Sequence, residues 1–382
     1  MISVKIYLIK SVMFMSKFKD FLKRKDIIFS GKRYGIDALG AMAQGLFCTL
    51  LVGTILNTLG TQLNIGFLKQ VIVTLGSGEG AVSYTIGGLA SAMVGPGIAV
   101  AIGSALNAPG LVLFSMIPVG FAANAMGGAG GPLAVYVVAI IAAECGKLVS
   151  KETKVDILVT PVVTTLVGIG VASLIAAPIG AAASAVGNFV EWATIQQPLI
   201  MGVLVSVVIG MALTLPISSA AICIAIGLDG LAGGAAVAGC CAQMVGFAVM
   251  SFKENRWGGL VAQGIGTSML QMPNIIKNPR IWIPPTLASA ITGPLATCLF
   301  KLEMNGAPVS SGMGTCGFVG QIGVYTGWVN DITAGLKTAI TPMDWIGLIV
   351  ICFVLPAVLS WVICQFMRKK AWIGPDDLKL DL

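Results

Sequence analysis

The sequence contains no histidine, and Asp, Glu, Lys and Arg together supply only 10% of its 382 residues. Without imidazole the chain lacks the one side chain whose unperturbed pKa lies near neutrality, so any proton relay or phosphotransfer step has to work by other means. Soluble domains carry about 25% charged residues; with 56% hydrophobic residues and a mean hydropathy of +0.93, this chain falls outside that class. Metal-type spacing is missing as well. Most of the nine cysteines, such as Cys48, Cys223, Cys240, Cys241 and Cys352, lie inside apolar runs, where a thiol reads most simply as a small packing residue. The sequence also lacks a nucleophile–base pair and a glycine loop followed by Lys-Ser/Thr, so a membrane-embedded enzyme is the weakest of the functional classes. No metal, cofactor or catalytic residue is expected.

What fills the chain is long apolar sequence. A spanning helix needs roughly 20 apolar residues to cross a hydrocarbon core of about 30 Å. Candidate spans lie at 36–59, 82–104, 109–129, 131–149, 157–182, 199–216, 219–251, 257–272, 283–301 and 341–366. The fold class is therefore an all-α polytopic membrane protein with about ten transmembrane helices, some broken or re-entrant. The net charge of +7 gathers at the ends, in Lys17, Lys19, Lys23, Arg24, Lys25, Lys32 and Arg33 and in Arg368, Lys369 and Lys370. Basic residues stay on the cytoplasmic side, so both termini are expected there and the number of crossings to be even. The basic ends set topology; they are not a nucleic-acid surface. No small-residue cleavage pattern follows the first apolar pieces, so a removable signal peptide is not expected, and Met13 and Met15 are equal candidates for the start. One membrane domain, 34–370, lies between a basic N-terminal segment, 1–33, and a short cytoplasmic tail, 371–382.

Most of the 49 glycines read as close-packing positions between helices. Where Gly and Pro cluster with Asn, Ser and Thr, the helix is expected to break, and broken backbone at membrane depth persists only when buried or lining a cavity. Four places have that composition: 106–132 around Asn107-Ala108-Pro109, 214–219, 263–274, and 303–315. The last has the make-up of a hairpin loop folded back into the protein, and its Asn305-Gly306-Ala307-Pro308 echoes Asn107-Ala108-Pro109. Asn188-Phe189-Val190-Glu191-Trp192 is expected to interrupt the apolar pattern as an interfacial element.

The order of these elements resembles the membrane (IIC) subunit of the phosphoenolpyruvate-dependent sugar phosphotransferase system. Within it, the fructose-type branch and its PfoR-like stand-alone group come nearest. Tyr34–Phe47 resembles the opening of PfoR-like proteins, Asn107–Val112 is similar to the branch's R-P-G-L-A-P-G, and Val155–Gly168 to its K-P-I-L-I-I-P-L-I-S-T-L. The resemblance covers most of residues 34–328. It implies a IIC-like fold with re-entrant hairpins around a midplane site, a homodimer, a bacterial inner or plasma membrane, and a separate IIB protein as a possible partner.

The departures are as informative as the matches. The branch's A-F-D-M-G-G-P-V-N-K falls on Ala212–Ser219, without the acidic residue or the asparagine. Its G-I-T-E-G-A-I-P is similar to Gly266–Pro273, with Met269 at the position of the sugar-contacting Glu; its A-P-H-G-G resembles Ala307–Gly312, with Val309 for the His. Phosphotransfer to a sugar hydroxyl needs a group that takes or orients that proton. The expected function is thus a stand-alone IIC-like transporter moving a small polar solute by alternating access without phosphorylating it. The alternatives are a membrane sensor or regulator of the PfoR type, and a true permease working with a separate IIB.

Ionisable residues inside spans point to function by default. Glu144 has two readings, an interface anchor paired with Lys147 one turn on, or a functional group. Asp229 marks either a turn or a broken helix, and Glu79 reads as a loop residue. Glu303 is the sharpest candidate because it precedes the loop that matches the family's substrate loop, although Lys301 offers it a plain ion pair. The neutral polar set carries the site expectation: Asn107, Thr267, Ser268, Gln271, Asn274, Asn305, Ser310, Ser311, Thr315 and Gln321, whose amides and hydroxyls suit sugar-like hydroxyls. Their alternative role is interhelical hydrogen bonding. Met269, Met272, Met304 and Met313 suit an adaptable apolar wall or plain packing.

Overall fold

The computed structural model describes residues 19–62, 64–77 and 81–380, so Glu79 and the candidate start methionines lie outside the described residues. The chain is helical almost throughout. The helices are α1 (Arg33–Thr61), the bent pair α2 (Ile86–Ala92) and α3 (Val94–Ala105), α4 (Gly110–Gly127), α5 (Gly131–Val149), α6 (Asp156–Thr194), α7 (Pro198–Thr214), α8 (Ser219–Ala225), α9 (Gly230–Met250), α10 (Phe252–Val261), α11 (Met272–Lys277), α12 (Pro279–Phe300), α13 (Val319–Thr333) and α14 (Pro342–Lys369). One hairpin, β1 (Val73–Leu75) with β2 (Val82–Tyr84), pairs antiparallel with Thr74 opposite Ser83.

Among the described residues six helical stretches are long and apolar enough to span a membrane, and the α2–α3 pair, bent by 53°, makes a seventh if it is taken as one span. This is fewer than the ten expected from hydropathy, for identifiable reasons. Run 219–251 breaks into α8 and α9 at Gly227 and Gly230, both with positive φ. Run 257–272 is divided into α10, a π turn (Ala262–Gly266) and a 3-10 turn (Ser268–Gln271). Helix α7, at 17 residues, is short for a span. The stretch Gly110–Val149 counts once by composition, yet it folds back at Gly128, where φ is +51°, so that Val112 near the start of α4 lies against Gly146 near the end of α5. Helix α6 runs unbroken through Asn188–Trp192, for 39 residues, about 58 Å at 1.5 Å per residue.

Helix α9 is the axis of the second half. Its sequence is largely Gly, Ala and Cys, and nearly all of it is buried between α7, α12 and α14. In lipid, helices gain nothing from leaving apolar surroundings, so close backbone approach supplies the attraction and small residues permit it. At Gly234 a Cβ would overlap the carbonyl of Leu302, and at Gly239 that of Ser206. The two ends of α9 are about 30 Å apart by the same rise. At its first residue, Gly230 exchanges backbone hydrogen bonds with Met304 (3.1 and 2.9 Å). At its last, the carbonyl of Met250 accepts from Arg368, which also pairs with Glu254 at 2.7 Å. Beyond α14 the chain turns back, and Ile373 and Leu378 pack into a cluster with Phe247, Met250, Ile275, Ile281, Cys364 and Met367.

Candidate functional site

Halfway along α9 the helices are joined by neutral hydrogen bonds. Gln243, fully buried, accepts at Oε1 from Trp282 Nε1 (2.9 Å) and Thr214 Oγ1 (3.3 Å) and donates from Nε2 to Thr286 (3.3 Å). The hydroxyls of Thr214 and Ser268 are 2.8 Å apart. Thr267 caps the turn that follows by accepting from the backbone N–H of Met269. Thr315 reaches the sulfur of Met244 at 3.5 Å, and Gln321 donates to the sulfur of Cys241 at 3.1 Å. The carbonyl oxygen of the Gln321 side chain is buried with no partner. The broken segments 264–274 and 303–315 therefore approach each other through their inner ends, where the turn Cys316–Phe318 packs on Ala262–Gly266. Ser310 and Ser311 are buried just above this layer, Ser311 donating to the carbonyl of Leu228 (2.7 Å).

The outer ends of the same segments part. Asn305 lies at the Gly230 end of α9, where its Nδ2 bridges Asp331 (2.8 Å) and Glu303 (3.3 Å). Glu303 is exposed there, and no ion pair joins it to Lys301 among the described residues. Both line a cavity of about 320 Å³ with Asn305, Asp331, Lys337 and Asp344. Gln271 and Asn274 lie at the Met250 end, in a chain of amides: Asn274 donates to Gln271, Gln271 to Gln263, and Gln263 to Ser251, each at 2.8–2.9 Å. Here a second cavity, of about 250 Å³, lies between α1 and α11. Its polar wall is Asp37, Gln44, Asn274 and Lys277, and the tail residues Lys379 and Leu380 close one side. Its size is near the lower end, roughly 300 Å³, of ligand pockets. Thr267, Ser268, Ser310, Ser311 and Thr315 line neither cavity.

Asn107 belongs to a third place. It ends α3 in the left-handed conformation (φ 55°), which Asn tolerates better than most residues, and its Nδ2 donates to Asp26 (3.1 Å). Around it Arg33 grips Asp26 with two hydrogen bonds (3.1 and 2.6 Å). Bonding to this guanidinium holds the Asp26 carboxyl down at about 2, against the opposing effect of partial burial. Lys147 is 1% exposed, its charge met by Glu144 (3.0 Å) and by the carbonyls of Asp26 (2.7 Å) and Leu106 (2.9 Å). Glu144 also accepts from Tyr34 OH at 3.0 Å. The pairing expected of Glu144 with Lys147 is thus present, as a buried network. Asp229 is the residue before α9, at the break in run 219–251.

Sequence reasoning passed over Asp37, Gln44, Lys277 and Lys379. A signal for the first two exists: Asp37, Gly40, Ala41 and Gln44 follow an i, i+3, i+4, i+7 stripe, one polar and small face on an apolar helix.

A bundle of apolar helices around a layer of neutral donors and acceptors, with polar cavities at both ends, is the architecture of a multi-pass membrane protein that handles a polar solute. The family model described as "Phosphotransferase system, EIIC" matches residues 36–380. The chain belongs to that family, and so is a membrane sugar-transport component. No curated protein and no solved structure matches it.

Proposed function

We propose that this chain is a stand-alone transporter that moves a sugar, or a similarly hydroxylated solute, by alternating access and leaves it unphosphorylated. The observation that carries the reading is the chemistry at two positions. Met269, where the resembled motif has Glu, is 2% exposed in the main apolar core, and Val309, where it has His, packs against the same core. A thioether and an isopropyl group cannot take a hydroxyl proton. The two cavities sit at opposite ends of α9 with a closed polar layer between them, which suits a solute path shut at its middle. On this reading Asn274 and Gln271 serve the tail-end mouth and Glu303 and Asn305 the other. Thr267, Ser268, Ser310, Ser311 and Thr315 line the path once it opens, while Asn107 stands apart from it. Both termini are cytoplasmic, and the working unit is a homodimer of the PfoR-like group.

The test is uptake of a panel of labelled sugars by liposomes containing only this chain, without phosphoenolpyruvate or phosphotransfer proteins. Accumulation of chemically unchanged solute is expected. Phosphorylated sugar recovered from vesicles supplied with phosphoenolpyruvate, the general phosphotransfer proteins and a IIB partner would overturn the reading. A second reading, a membrane sensor, is favoured by the C-terminal tail docked beside the cavity; solute binding without uptake would select it.

A further inference from the structure

The tail after α14 is held by side-chain amides that read its main chain. Asn255 donates to the carbonyl of Leu378 (2.7 Å) and accepts from the N–H of Leu380 (2.8 Å). Gln271 donates to the same Leu378 carbonyl (2.9 Å), and Asn274 to that of Lys379 (2.7 Å). Asn278 donates to the carbonyl of Trp372 (3.0 Å) and to the carboxylate of Asp377 (2.7 Å). Four amides converging on one short peptide, with Leu378 fully buried, make a groove matched to a segment that turns at Asp376 (φ 66°). The bound segment also forms a wall of the smaller cavity, through Lys379 and Leu380 opposite Asp37 and Gln44.

We propose that residues 371–380 are a latch: docked, they wall one side of the cavity beside α1, and their release widens it. The mode of attachment fits a reversible element. All but one of its side-chain hydrogen bonds to the body are neutral and individually weak in net terms, the exception being Asn278 to the Asp377 carboxylate, and among the described residues no ion pair fastens the tail to the body. The chain leaves α14 through Ala371 in the left-handed conformation (φ 56°), which caps the helix as Trp372 N–H bonds the Met367 carbonyl (3.0 Å). Gln271 and Asn274 sit in both structures at once, holding the tail and, for Asn274, lining the cavity, so tail and solute share groups. The latch regulates the cavity that the transport reading assigns to solute, and rests on that assignment.

The experiment separates the two. In the full chain in nanodiscs, Ala41→Cys, at a half-buried residue of the cavity wall, reports access to the cavity through its rate of reaction with a water-soluble maleimide, the parent chain being labelled in parallel to subtract native cysteines. Tail docking is read by resistance to carboxypeptidase. Leu378→Asp and, separately, Asn255→Ala are combined with Ala41→Cys. We expect both to expose the tail and to speed labelling at least about tenfold, and a synthetic peptide of residues 371–380 to slow it again. A tail that is digested while labelling stays at the parent rate overturns the latch. So does loss of the folded elution profile in both variants, which would make the tail a folding element. Faster labelling together with no uptake by the parent chain would retain the latch and sink only the transport reading.

Discussion

Replacing Lys147 by Met tests the network at the α3–α5 end of the molecule. The ammonium is 1% exposed and is the cationic partner of Glu144 at 3.0 Å, while the Glu144 side chain is 10% exposed. Met is close in length and fills the space, so the change removes charge with little cavity. It leaves Glu144 buried with Tyr34 as its remaining donor, and the Asp26 carbonyl loses a hydrogen bond of 2.7 Å. The Leu106 carbonyl keeps Arg33 at 2.7 Å. Breaking a buried pair from one side costs about 3–5 kcal/mol, because the surviving charge has no compensation. Adding Glu144→Gln removes that charge and keeps an acceptor for Tyr34, so more than half of the loss is expected to return. The measurement is a double-mutant cycle on unfolding free energy in mixed micelles. A loss under about 1 kcal/mol, the scale of an exposed pair, or a double variant no more stable than Lys147→Met, would refute the argument that this pair is desolvated.

Asp26 titrates well below an ordinary carboxylate, so its bond with Arg33 contributes stability above about pH 4 that is lost as pH falls towards 2; Asp26→Asn is expected to flatten that part of a stability-versus-pH curve relative to the parent. Gly239→Val forces a branched side chain into the Ser206 carbonyl and is expected to destabilise by about 1–3 kcal/mol or more, read by thermal unfolding in detergent, whereas Gly170→Ala, with open space at its Cβ, stays within about 0.5 kcal/mol of the parent. Glu303→Gln is expected to match the parent in uptake between about pH 5 and 8, because the side chain is exposed and already shares Asn305 with Asp331; a selective loss of pH-dependent uptake would return Glu303 to a coupling role.

The helical class was legible from composition alone, and the broken segments from local chemistry, since Gly, Pro and Asn state their backbone demands within a few residues. Segment 263–274 did break, at Gly266 and Thr267, and run 219–251 broke at Gly227 and Gly230. The count of spans was not legible, because hydropathy does not distinguish a continuous helix such as α6 from a hairpin such as α4–α5; Gly128 turns the chain, whereas Gly187 inside α6 does not. For the candidate site the limit is different. Residue type showed that Gln271 and Asn274 must be hydrogen-bonded if buried, but besides a nearby amide each donates to a tail carbonyl more than 100 positions away, and no local pattern announces that. Asp37 and Gln44 were within reach through their helical spacing.

The distribution of charge bears on how such a molecule moves. Among the described residues the ion pairs sit near the ends of the helices: Arg24 and Lys25 with Glu152, Arg33 with Asp26, Lys147 with Glu144, Lys337 with Asp344, and Arg368 with Glu254. The layer at mid-α9 holds only amides, hydroxyls, an indole and thiol or thioether sulfurs. Separating the two most buried of these pairs, Lys147–Glu144 and Arg368–Glu254, would expose each partner to the cost of an unpaired charge, several kcal/mol per ion. Neutral interhelical hydrogen bonds in membranes average about 0.6 kcal/mol, and a hydroxylated solute offers the same donors and acceptors in exchange. On the proposed alternating-access reading, helix ends pinned by charge and a centre joined by exchangeable neutral bonds favour opening through the middle segments, 264–271 and 310–318.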